Sequence, residues 1–226
     1  MQSTAAAPSR RTVTITIGYQ ELRGDLAVPA DAQGLVVLAG ANGNDLQNPL
    51  QQYVRHALVP AKMGTLIVGL PAEAEESSDP NGVLRSAVDT LARRLVKIAD
   101  WLQRRPETGA LPLGLFGAGT GAAASLIAAA ERPTHVAAVV CQGGRHLAGA
   151  ALSRVIAPTL LIAGSRDRDA VLVNRDAMAR MRCEVALELV PRATHLFAER
   201  GALEQAASLA ARWFARHIGT GWSQQD

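Results

Sequence analysis

Polar and apolar residues alternate over residues 12–17, the period of a half-buried strand, and residues 21–28 are expected to return as its antiparallel partner. Residues 34–39 are instead continuously apolar, as a strand buried on both faces requires. A polar Gly/Asn-rich loop follows over 40–48, and Asn48 then caps a helix that opens on Pro49 and ends near Pro60. Residues 65–70 read as the next buried strand and 71–82 as an acidic loop. A long amphipathic helix covers 83–105, with Val88, Leu91, Leu95, Ile98 and Leu102 on one face. Shorter units complete the chain: strand 113–116 with a Gly/Ala-rich turn and a helix through Ala130, strand 136–140, strand 157–163, helix 171–182, strand 185–190 and helix 202–217. After an antiparallel start, strands alternate with helices, which predicts a doubly wound, mostly parallel α/β sheet with an N-terminal hairpin.

The 226 residues are enough for one domain with a full core. We expect a flexible lead over 1–10, one α/β domain over 11–219 and a tail over 220–226. With 48% hydrophobic and 19% charged residues the chain is not a disordered one, and with only 4% aromatics its core must be built from Ala, Leu and Val. The formal charge of +3 is scattered and has no aromatic platform beside it, so nucleic acid is not the expected partner. No apolar run approaches the roughly 20 residues of a membrane helix, and the N-terminus has no secretory h-region. The two cysteines, Cys141 and Cys183, form neither a disulfide framework nor a metal cluster. The expectation is a cytoplasmic protein that takes a small-molecule ligand or substrate, uses no metal or cofactor and leaves room for a homodimer.

Three places carry candidate chemistry. Gly117-Ala118-Gly119-Thr120-Gly121 joins a strand to a helix. A nucleophile elbow of the G-x-S-x-G type needs small outer residues, because the turn is sharp and the helix packs close to the strand. Gly119 stands where that motif has its serine. The same stretch can also be read as a phosphate-binding turn or as simple close packing, although its spacing is not G-x-G-x-x-G. The second place is Asp167, an acid just after a late buried strand, with Asp169 as its rival and a helix-capping role as the plainer reading. The third is His195, on the loop after the last strand, where a lone histidine is usually only a surface residue. The chain order of elbow, acid and histidine is that of the α/β-hydrolases.

With these residues in place, the sequence resembles the small dienelactone-hydrolase-like α/β-hydrolases over about residues 12–217. The matching stretches are 115–126, 139–145, 157–167 and 191–197. The resemblance implies a Ser or Cys nucleophile backed by Asp and His and acting on esters or lactones. It puts Asp167 and His195 on the acid and base positions and Gly119, which has no side chain, on the nucleophile position. The loop where relatives carry a His-Gly-Ser-type oxyanion stretch reads Gly40-Ala41-Asn42-Gly43-Asn44-Asp45-Leu46, and Gly69 stands where the fourth strand of relatives often ends in an acid. Several coupled departures favour natural divergence over the replacement of a single serine.

The expected site is therefore His195, Asp167 and Gly119, with Gly40, Ala41, Asn42, Thr120 and Cys141 lining a ligand pocket. Other hydroxyls and thiols do not replace the serine. Thr120 points toward the helix, Ser125 is packed inside it, Ser165 lies in the acid loop, and Cys141 ends a neighbouring strand where a buried small hydrophobe is the plainer reading. The leading expectation is an ester- or lactone-hydrolase-type protein without its serine and hence without ordinary serine hydrolysis. The alternatives are a cofactor-free enzyme that uses the His195–Asp167 dyad as a general base, and a non-catalytic binding scaffold.

Overall fold

The computed structural model describes residues 9–40, 46–70, 88–145 and 149–219. The strands are β1 (Ser9–Ile17), β2 (Gln20–Val28), β3 (Gly34–Gly40), β4 (Met63–Gly69), β5 (Leu113–Ala118), β6 (Val136–Gln142), β7 (Thr159–Gly164) and β8 (Val185–Val190). The helices are α1 (Pro49–Leu58), α2 (Val88–Gln103), α3 (Thr120–Glu131), α4 (Arg168–Arg180) and α5 (Ala202–Ile218), with short 3-10 segments at Val59–Ala61 and Gly149–Arg154. The strands form one sheet in the order β1-β2-β4-β3-β5-β6-β7-β8. β1 and β2 pair antiparallel, β2 joins β4 antiparallel, and every other pairing is parallel.

Continuous apolar runs produce this sheet because both of its faces are covered. Along β3, Leu35, Val37 and Ala39 enter the core beneath α2 and α3, while Val36 and Leu38 enter the core beneath α1 and α5. Leu91, Leu95, Ile98 and Leu102 of α2 all point into the first of these cores. α3 is buried through most of its circumference, and its Ala/Gly composition lets it sit close to β5 and β6. Removing one such core leucine, for instance Leu95→Ala, costs about 2–5 kcal/mol. β8 is an edge strand, less buried than the five that precede it in the parallel part of the sheet.

Most of the expected elements are present, with shifted ends. Asn48 caps α1 through a 3.0 Å bond from the Leu50 N–H, directly before Pro49. The expected lead over 1–10 is too long: Ser9 and Arg10 belong to β1, paired with Val28 and Ala27, and Arg10 Nε donates to Asp25 Oδ2 at 2.8 Å. A polar, basic stretch hid this because an outer strand has no need of an apolar pattern. α4 starts at Arg168 rather than residue 171, since Asp167 itself accepts from the Ala170 N–H and sets the helix start. The expected acidic loop over 71–82 and the expected first turn of the long helix over 83–87 lie outside the described residues. Among the described residues no helix is long and apolar enough to cross a membrane.

Chain order makes one place special. β3 runs out to β4 on one side, and the chain then returns across it to β5 on the other. The crevice at the carboxyl ends of β3 and β5 is the point where the winding reverses, which is where open α/β sheets place their ligands.

Candidate active site

β5 delivers the elbow to that crevice. A Cβ added at Gly117 would lie 2.2 Å from the Gly121 carbonyl oxygen and 2.6 Å from Ser125 Oγ, so only glycine lets α3 turn back this tightly over its strand. Gly119, between strand and helix, has φ 55° and ψ −119°, a left-handed strained turn. A Cβ built on it meets nothing within 4 Å. The Gly119 N–H donates to the Gln142 carbonyl at 2.9 Å, so this group is spent on fixing the elbow against β6. The N–H of Thr120 has no backbone carbonyl partner among the described residues and is a donor at the start of α3 that can meet an oxyanion.

β7 and β8 deliver the acid and the histidine. Their following loops are tied together: the Ser165 N–H donates to the Val190 carbonyl at 3.0 Å, the Arg166 N–H to the Ala193 carbonyl at 3.0 Å, and the Arg192 N–H to Ser165 Oγ at 2.8 Å. This brings Asp167 and His195 together, with His195 Nδ1 3.0 Å from Asp167 Oδ2. The Asp167 side chain is 3% exposed and that of His195 35%, so the acid is sealed below a ring that still reaches solvent. Nδ1 is engaged by Asp167, which leaves Nε2 as the nitrogen that can meet a ligand or water. Of the two rival acids, Asp167 makes this bond, and Asp169 lies in the first turn of α4 with its side chain exposed.

Arg145, just past β6, was not among the expected site residues. Its Nη2 lies 3.1 Å from Asp167 Oδ1 and its Nε 3.3 Å from Oδ2. The segment that carries it is anchored by buried Asn174 of α4, whose amide donates to the Gly144 carbonyl at 2.9 Å. Burial works against ionisation of Asp167, but the bonds and charge of Arg145, the Ala170 N–H and the His195 bond outweigh it and hold the carboxyl below the usual aspartate range. A Gly-Gly-Arg stretch at the carboxyl end of a parallel strand was the available signal, since that edge is where α/β sites form.

The elbow and the dyad meet across the end of β6. Gly119 is bonded to Gln142, and the next residue, Gly143, lies against His195, with a built Cβ 3.7 Å from the His195 carbonyl oxygen and 4.0 Å from Nδ1. The cleft over His195 measures about 350 Å³ and is lined by Arg145, Arg166, Arg168, Asp169 and Thr194, among others. That is the size of a small-ligand site.

The remaining expected residues are placed differently. Gly40 ends β3, and its carbonyl accepts from the Leu70 N–H at 3.0 Å, while Ala41 and Asn42 lie outside the described residues. Thr120 is half-buried at the first position of α3. Cys141 is not brought to the cleft: it is fully buried in the core beneath α3, its thiol is 3.5 Å from the Ala122 carbonyl, and burial pushes that thiol up. Ser125 Oγ is buried without a hydrogen-bond partner among the described residues, and Ser165 Oγ is occupied by the Arg192 N–H.

No family model matches the chain. A solved dienelactone hydrolase from Anabaena variabilis is 42% identical, covers 93% of this chain and 99% of its own, and superposes with a TM-score of 0.90. A dienelactone hydrolase-like promiscuous phosphotriesterase from metagenomic libraries is 18% identical, with a TM-score of 0.74 and coverage of 94% of this chain and 99% of its own. The esterase domain of a Rhodothermus marinus protein is 17% identical, with a TM-score of 0.71 and coverage of 93% and 100%. These last two share the fold. A curated protein of Mycobacterium tuberculosis whose name proposes a phosphoribosyl transferase is 42% identical over 217 residues, 95% of this chain. The chain spans about half the length of that relative, 48%.

Proposed function

The chain belongs to the dienelactone hydrolase family of α/β-hydrolases, and from that premise we propose that it is an ester- or lactone-type member whose nucleophile position is Gly119, so that covalent serine hydrolysis is closed to it while the ligand cleft is kept. The observation that carries this reading is the 3.0 Å pairing of a sealed Asp167 with His195, beside a strained elbow that holds its shape with no side chain on it. A scaffold that works only through its surface has no use for a buried acid oriented onto a cleft histidine. The phosphoribosyl transferase name belongs to a relative twice as long, and the hydrolase reading follows the neighbour that this chain covers almost end to end.

The retained dyad favours a second reading within the same family. His195 Nε2 takes a proton from a water held in the open space over Gly119, and the water oxygen attacks the ester carbonyl. The Thr120 N–H receives the developing oxyanion, the C–O bond breaks, and the proton passes from His195 to the leaving alkoxide. This route lacks the covalent step that divides one difficult barrier into two lower ones.

The test compares the parent, Gly119→Ser, His195→Ala, and Gly119→Ser with His195→Ala on a small activated ester. A His195-dependent burst confined to the serine variant supports the missing nucleophile. Parent turnover that disappears in His195→Ala and is impaired by Gly119→Ser supports general-base hydrolysis. No His195-dependent activity in any protein overturns both readings. The parent is also expected to form no adduct with a serine-directed phosphonate, and a stoichiometric adduct on Thr120, Ser125 or Ser165 would show a relocated nucleophile.

A further inference from the structure

We propose that the ligand carries a phosphate monoester, and that two adjoining clefts sharing Arg166 hold its two ends. This rests on reading the His195 cleft as the site of an ester-like group. The second cleft opens beside the first and is lined by Arg166, Arg192, Glu199, Arg200 and the Gly201–Ala202 start of α5. Arg145, Arg166 and Arg168 line the first cleft and Arg192 and Arg200 the second, so five arginines and three carboxylates, Asp167, Asp169 and Glu199, line the two clefts together. Of the five, only Arg145 makes an ion pair with a described carboxylate.

The two positive charges in excess match a phosphate monoester, which carries about −1.5 to −2 at neutral pH, rather than a single carboxylate. Guanidinium groups also suit the several acceptor oxygens of a phosphate. The clefts are mechanically joined, because Glu199 Oε1 in the second accepts from the Thr194 N–H, which lies next to His195, at 3.0 Å. Arg192 is held on the lip with φ 63°, an uncommon conformation for a non-glycine residue, by its N–H bond to Ser165 Oγ. α5 starts at the second cleft, where the Ala202 N–H donates to the Glu199 carbonyl at 3.0 Å and ties the helix start to the Glu199 segment.

The experiment titrates the full chain with inorganic phosphate, and separately with acetate at matched ionic strength, while NMR follows the arginine Nε–H and Thr194 amide signals. The expected result is a saturable response to phosphate that acetate does not give. It should weaken about tenfold in Arg166→Ala or Arg192→Ala, the loss of one charge-assisted contact. Glu199→Gln keeps the acceptor for Thr194, removes a negative charge and is expected to tighten phosphate binding. Shifts that follow ionic strength alike for both anions, or equal phosphate affinity in the parent and both arginine variants, overturn the proposal. The outcome can be separated from the hydrolytic reading. His195-dependent turnover of a neutral ester by Gly119→Ser, with no saturable phosphate response in the parent, overturns the phosphate site and leaves the hydrolase standing. Saturable, arginine-dependent phosphate binding without any His195-dependent turnover supports the phosphate site and removes the hydrolase.

Discussion

Arg145 grips both oxygens of the Asp167 carboxylate, and His195 must share one of them with it. Because Asp167 ionises more readily folded than unfolded, its contribution to stability is complete above the ordinary aspartate value of about 3.9 and is lost as the pH falls through the lower folded value. Arg145→Met should bring the Asp167 carboxyl back up toward the ordinary range. Arg145 is 44% exposed and solvent screens it, so the variant should be less stable than the parent by only about 1 kcal/mol at pH 7. That difference should shrink toward zero as the pH is taken well below 3.9 or so, the ordinary aspartate value. Urea unfolding of both proteins across this range measures it, and a difference that persists unchanged in acid would mean that Arg145 stabilises by packing alone.

Two glycines of the elbow should respond in opposite ways. Gly117→Ala drives a Cβ to 2.2 Å from backbone and should cost about 3 kcal/mol or more. Gly119→Ser has open space and bears only the strain of a side chain at this positive φ, about 1–3 kcal/mol. Denaturant melts of the two variants test the order, and a Gly119→Ser protein less stable than Gly117→Ala would show that the elbow does not accept a side chain.

Cysteine labelling should separate the two thiols. Cys141 is fully buried with its thiol pushed up, whereas Cys183 is half-buried in the segment between α4 and β8, its thiol also raised by burial but within reach of solvent. Under native conditions iodoacetamide is expected to modify Cys183 alone, with Cys141 reacting only as the protein unfolds. Mass spectrometry of timed digests reads this directly. Fast native labelling of Cys141 would place it at an accessible surface and return it to the list of candidate nucleophiles.

Asn174 should behave as the anchor of Arg145. Its amide donates to the Gly144 and Ala170 carbonyls at 2.9 and 2.6 Å inside the protein. Asn174→Ala leaves the Gly144 carbonyl without that donor and should cost about 1–3 kcal/mol. It should also raise the Asp167 carboxyl pKa in NMR titration, in the same direction as Arg145→Met. Lost stability with an unchanged Asp167 titration would show that the Gly144 segment holds its place without Asn174.

The mostly parallel sheet with its N-terminal hairpin and the pairing of Asp167 with His195 were legible because burial on two faces writes itself as unbroken apolar runs, and Asp167 follows closely after such a run. Three things were not. Arg145 reaches Asp167 from the end of another strand, and a contact of that kind leaves no periodic trace. Ser9 and Arg10 pair at the outer margin of the sheet, where polar residues are tolerated. Cys141 ends a strand at the right edge, but the alternation of its neighbours into two cores decides which way its thiol points, and that direction is toward α3. The loop over 41–45, from which a second oxyanion donor was expected, lies outside the described residues.

Gly119 keeps its strained turn through the bond from its own N–H to Gln142, and that bond asks nothing of a side chain. The shape of the elbow is therefore heritable independently of the catalyst that it presents. A GGT or GGC glycine codon becomes a serine codon by a single base change, so with either codon at Gly119 the chain would stand one mutational step from presenting a hydroxyl on a turn already folded to receive it. On the proposed reading, selection for hydrolysis would find the acid, the histidine and the backbone between them already built.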